Sequence, residues 1–146
     1  MMNNPFSPAE QQRIVTAIQT AERATSGEIR VHVEPHCAEA DPVARAVQVF
    51  GQLGMHQTKA QNGVLFYLAH VDRKFAVIGD KGIDAVVPAG FWEETKDLLR
   101  NHFAVGDFVG GFEQGIAQAG RQLRQYFPYD GSTDKNELAD DISIDT

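Results

Sequence analysis

"VLFYLAHVDRKFAVIG", residues 64–79, is the stretch whose reading decides the fold. Residues 64–71 run almost continuously apolar, the pattern of a central strand buried on both faces rather than one with a wet side. Val71, Asp72, Arg73 and Lys74 then form a tight turn into a second strand, "KFAVIG". Strands joined so closely must be antiparallel neighbours. The apolar run stops at Gly79, and Asp80, Lys81, Gly82 and Asp84 follow at once, so the chain is expected to leave the sheet there and form the rim of a site.

Helices flank this pair in the sequence. In "FSPAEQQRIVTAIQTAERATSG" Ser7 is placed as N-cap, Pro8 at the first helical position and Glu10 as the return half of a capping box. An apolar stripe of Ile14, Ile18, Ala21 and Ala24 follows, ended by Gly27. The next residues, "GEIRVHVE", alternate: Ile29, Val31 and Val33 share one face, and Glu28, Arg30, His32 and Glu34 the other, which is expected to be wet or to line a cleft. Asp41 and Pro42 open a second helix with a stripe of Val43, Val47 and Phe50, and a glycine-punctuated loop returns to the central strand. Pro88 precedes a third helix containing Trp92, Leu99, His102 and Phe103. A fourth, capped by Asp107, keeps helical spacing from Phe108 to Phe127. Strands among about four helices predict an α/β fold, a three-layer α/β/α sandwich around a small mixed sheet.

The size and composition, 146 residues with 42% hydrophobic and 23% charged, suit one domain with a real core. Cys37 is the only cysteine, which excludes an internal disulfide framework. The formal charge of -7 is concentrated in residues 130–146, where six acids face one lysine. That balance argues against a nucleic-acid partner, and residues 129–146 are expected to be a solvated, disordered tail behind a domain spanning 6–128. The N-terminus lacks a basic start and an apolar stretch, and no window has the length of a membrane span, so a soluble cytoplasmic protein is expected.

Taken in order, "TSGEIRVHV", "NGVLFYLAHVDRKFAVIGDKGI" and "FAVGDFVGGFEQGI" resemble the TPM domain family, over nearly the whole core. The resemblance implies an α/β/α sandwich with a groove built from the loops around these motifs. It also implies a divalent cation, calcium or alternatively magnesium, and the acid phosphatase activity proposed for a plant member. The chain looks like a stand-alone branch of the family, with Gln61 where an aspartate is common and "GDKGID" where a form nearer Gly-Tyr-Gly-Leu-Glu is usual.

Calcium takes six to eight oxygen ligands, so the acids on irregular segments are its candidates. They are Glu28 at the first strand, Asp72 in the hairpin turn, Asp80 and Asp84 in the glycine-rich stretch, and Asp107 at the last helix start. Each also has a plainer role: Asp72 makes a turn, Asp107 caps a helix, and Asp84 is simply solvated. Lys81 and Arg73 would offset phosphate charge, Trp92 with Phe91 would wall the groove, and His32 faces either the cleft or solvent. No nucleophile elbow, phosphate-binding loop or paired metal-binding histidines occur, so any phosphoester hydrolysis would be metal-assisted. Three functions follow: a calcium-binding module whose groove takes a protein or small ligand, a metal-dependent phosphatase, or a scaffold without chemistry.

Overall fold

The computed structural model describes residues 5–129 and 142–144. In chain order the elements are α1 (Pro8–Glu22), β1 (Glu28–Glu34), α2 (Pro42–Gln52), β2 (Gly63–Ala69), β3 (Lys74–Gly79), α3 (Lys81–Asp84), α4 (Glu93–Ala104), α5 (Phe108–Leu123) and β4 (Ile142–Ile144). The capping box of α1 is formed on both sides: Ser7 Oγ accepts from the Glu10 N–H at 3.1 Å, and Glu10 accepts from the Ser7 N–H at 3.0 Å.

Order in the sheet is β3-β2-β1-β4. β1 runs parallel to β2, with Glu28 opposite Gly63 and Glu34 opposite Ala69, and β2–β3 is the antiparallel hairpin expected from the turn. Every residue of β2 is buried. Its two faces serve two cores: Val64, Phe66 and Leu68 join α1, α4 and α5, whereas Leu65, Tyr67 and Ala69 join Ala46, Val49 and Phe50 of α2. Three helices on one face and one on the other make the three-layer sandwich.

Four sequence expectations are corrected. The stripe of α2 is rotated: Val43 and Val47 are 42% and 58% exposed, and the inner face is Ala46, Val49 and Phe50. The apolar face of this helix is wide, opposite a narrow strip of Arg45, Gln48 and Gln52, so a stripe drawn through Val43 and Val47 marks its outer edge rather than its centre. The polar side of β1 is not wet, since Glu28, His32 and Glu34 are each 5% exposed or less. Tyr67 of β2 stacks on His32, and Arg45 of α2 reaches Glu34 in a hydrogen-bonded ion pair, which is what makes burial of that carboxylate tolerable. His32 is accordingly a core residue, not a surface one. Finally, the tail expected to be without structure supplies β4, paired in parallel with Val31–Val33 of β1; the remaining tail residues lie outside the described residues.

Candidate functional site

β3 runs against β1 and β2, so its last residue sits among their first ones. The Asp80 N–H donates to Gly63 O at 2.9 Å, and the Glu28 N–H donates to Asn62 O at 3.1 Å. One corner of the sheet therefore gathers Glu28, Asn62 and Asp80. Where the chain leaves the sheet Asp80 caps α3, a single helical turn, with Oδ1 accepting from the Lys81 N–H at 2.7 Å. Gly82 is required by close approach: a Cβ there would lie 2.2 Å from Ala60 O and 2.6 Å from Gln61 O, both backbone atoms. Its N–H donates to Gln61 O at 2.9 Å, and Gln61 itself has φ of 50°, so the 60–62 and 80–84 segments are locked together.

Two oxygens in this corner are unusual. Asp80 Oδ2 and Asn62 Oδ1 are buried and have no hydrogen-bond partner among the described residues, although Asp80 is only 8% and Asn62 only 4% exposed. Asn62 uses its amide Nδ2 to donate to Ser26 O at 2.8 Å, which fixes the oxygen. Asp84 lies beside Asp80: partial burial of its carboxyl, and then the charge of Asp80, hold it above the ordinary aspartate value. A small cleft of about 170 Å³ opens beside them, walled by Val47, Phe50, Ile78 and Lys81. Trp92 packs under Gly79 and edge-on against Phe91, at 4.8 Å between ring centroids, and both border a second hollow of about 330 Å³ that Asp84 also lines. Of the expected aromatic wall, Phe91 is buried and Trp92 half-buried.

The other expected residues lie at the opposite end of the sheet, about 20 Å away along a six-residue strand. There Asp72 accepts from the Cys37 N–H at 2.8 Å and pairs with His36 at 3.0 Å; His36, then the Cys37 N–H, hold its carboxyl below the ordinary range. Asp107 caps α5 through the Gly110 N–H at 3.1 Å and pairs with His102 at 3.0 Å, and these two contacts, His102 first, lower it likewise. Arg73 donates to the carbonyls of Phe103 and Ala104, at the end of α4. Glu28, Asp80 and Asp84 thus share one corner with Lys81, while Asp72, Asp107 and Arg73 are held at the other end. Among the described residues no three acids, histidines or cysteines are grouped to hold one ion.

Sequence reasoning missed a buried polar cluster. Glu34 accepts a bidentate pair from Arg45, at 2.8 and 2.9 Å, and a short bond from the Tyr67 hydroxyl. His32 Nε2 lies 3.4 Å from Glu34, and its ring stacks on Tyr67 at 6.1 Å. Burial pushes the Glu34 carboxyl up, but the donors, Arg45 and then Tyr67, outweigh it and bring the group down to about 2. For Tyr67 burial and then the Glu34 contact act together, and the phenol is strongly raised. The one local signal is a hydroxyl-bearing tyrosine inside an otherwise apolar central strand.

The TPM domain family model matches residues 2–122. The BA42 protein of the psychrophilic bacterium Bizionia argentinensis, solved by NMR, is 43% identical over 99% of both chains, with a TM-score of 0.91. Two N-terminal domains share the fold: that of the cg2496 protein of Corynebacterium glutamicum (14% identity, 94% of this chain and 79% of that one, TM-score 0.64) and one from P. gingivalis (20%, 85% and 80%, 0.69). No curated protein matches the chain. No helix among the described residues is long and apolar enough to cross a membrane.

Proposed function

The chain belongs to the TPM domain family, and from that footing we propose that it is a divalent-cation-binding module whose calcium site is the corner of Asp80, Asn62 and Asp84. The observation that carries this reading is the pair of buried acceptors, Asp80 Oδ2 and Asn62 Oδ1, left without donors among the described residues. An unsatisfied buried acceptor costs about 1–3 kcal/mol. Both atoms are oxygens and both accept only, the ligand type that a hard cation such as calcium takes.

The donor set fits calcium in kind: one buried carboxylate, a second beside it whose charge is disfavoured by the first, and an amide oxygen. Carboxylates number too few to complete the shell, so backbone carbonyls and water make up the remainder. The bound ion would supply positive charge and Lewis acidity at the mouth of the small cleft. Asp80 has two tasks here, since Oδ1 holds α3 through the Lys81 N–H and only Oδ2 is free for the ion. The ligand recognised next to it is a protein segment or small molecule.

Metal-dependent phosphoester hydrolysis is the second reading, favoured by Lys81, which is exposed and placed to offset phosphate charge. Arg73, at the far end of the sheet, has no part in it. Calorimetric titration of metal-free protein with calcium and magnesium tests the first reading: one saturable site in the wild type, weakened at least roughly tenfold by Asp80→Asn, is expected. Equal heats from both proteins would remove the site. Turnover of an aryl phosphate that disappears in Asp80→Asn would favour the second reading; turnover unchanged by it would exclude it.

A further inference from the structure

β1 is paired along its full length by β2, but among the described residues its outer edge is met only at Val31, His32 and Val33, by the three residues of β4. The occupant is the chain's own C-terminal segment, separated from the rest of the described core by residues 130–141. Its three side chains alternate. Ile142, 8% exposed, enters the main core with Ile144 packed against it, while Ser143 turns to the other face and meets His32 Nδ1 at 2.8 Å. Beside it on β1, Arg30 has its Nε buried without a partner among the described residues. The edge therefore offers two apolar sockets, a buried imidazole between them and a cation one residue ahead.

We propose that this edge of β1 is a peptide-accepting slot, whose ligand is an extended segment running parallel to β1 with the pattern acid–apolar–Ser/Thr–apolar, and that residues 142–144 are its in-cis occupant. Strand addition supplies backbone hydrogen bonds that do not depend on sequence, and the alternating side-chain sockets supply the selection. The chain's own segment has the pattern, Asp141 preceding "ISI". Its pairing is short, and an occupant on the same chain competes at an effective concentration on the order of 1 mM, so a free peptide of the same pattern can displace it. A partner protein carrying this pattern would open the slot and release the acidic tail. This inference is independent of the cation site, which lies at the corner where β1 and β2 begin and β3 ends.

The test uses the full chain, ¹⁵N-labelled, titrated with unlabelled peptide of residues 139–146, ADDISIDT. The expected result is progressive movement of the 142–144 amide signals to free-chain positions, with half-displacement at millimolar peptide, while the Val31–Val33 amides stay near their starting positions because an identical strand replaces the first. Ser143→Ala in the protein weakens the occupant without touching its apolar anchors. Displacement should then need roughly 3- to 10-fold less peptide, the worth of one hydrogen bond. The same change made in the peptide should raise the requirement by a similar factor. Signals of 142–144 that do not move at millimolar excess in either protein would overturn the proposal, as would equally effective displacement by a scrambled peptide.

Discussion

Replacing Arg45 by methionine keeps most of the side-chain volume and removes both donors that hold Glu34. Glu34 would remain as a buried carboxylate with only Tyr67 and His32 against it. Removing one partner of a buried ion pair costs about 3–5 kcal/mol, because the other charge is left uncompensated. The size agrees with the carboxyl itself. Its fall from 4.5 to about 2 in the folded protein corresponds to about 3 kcal/mol of stability. Since the folded value is the lower one, that contribution is fully present above pH 4.5 and is lost as pH falls toward 2. In Arg45→Met burial, which raises the carboxyl, is opposed only by Tyr67 and His32, so the folded value moves up and the penalty is greatest at neutral pH and fades as the group protonates. Urea unfolding at pH 7 and at pH 4 should therefore show a gap of about 3–5 kcal/mol that narrows at the lower pH. Adding Glu34→Gln to Arg45→Met removes the stranded charge, and the double variant should be more stable at pH 7 than Arg45→Met alone. A loss below about 1 kcal/mol, or one equal at both pH values, would refute the reasoning.

Three further outcomes follow from the corner and from α5. Gly82→Ala drives a Cβ into Ala60 O and Gln61 O, and thermal or urea unfolding should register a loss of about 2–4 kcal/mol from overpacking and the strained Gly82–Gln61 hydrogen bond; a change within 0.5 kcal/mol, the range of a neutral surface substitution, would contradict the contact. Asp80→Asn keeps a good helix-capping side chain but removes a charge, so the Asp84 carboxyl should titrate lower in the variant, read by carboxyl NMR; an unchanged titration would separate the two acids. Asp107→Ala should cost about 1 kcal/mol at pH 7 through the lost cap on α5, whereas Asp107→Asn should keep most of it. Because Asp107 is lowered in the folded state, the wild type should lose its advantage over Asp107→Ala as pH falls through the carboxylate range, and a gap that widened in acid would contradict the pairing with His102.

The layered fold was legible where one local rule sufficed. Ser7 and Glu10 mark the start of α1 by themselves, and an unbroken apolar run marks β2 as central. Legibility failed where the deciding partner was remote. Nothing near Glu34 announces Arg45, eleven residues on, or Tyr67 across the strand pair, so a polar face that belongs to the interior reads as wet. β4 is three residues long, too short for any period, and its pairing residues are Val31–Val33, more than a hundred positions earlier. At the candidate site, Asp80 was visible as the residue after a strand end. Asn62 was not, because an Asn-Gly pair reads as a turn, and only the fold brings its carbonyl oxygen to the same corner. Acids spread along a sequence also say nothing about sheet ends, and the antiparallel β3 puts Asp72 and Asp80 at opposite ones.

The most direct test of the cation site is a residue-resolved amide NMR titration of the metal-free protein with calcium. Saturable shifts clustered on residues 60–63 and 79–84, with Glu28 included and Asp72 and Asp107 still, are the expected result. Shifts confined to the acidic C-terminal residues or to the Asp72 end, or spectra that do not change, would contradict it.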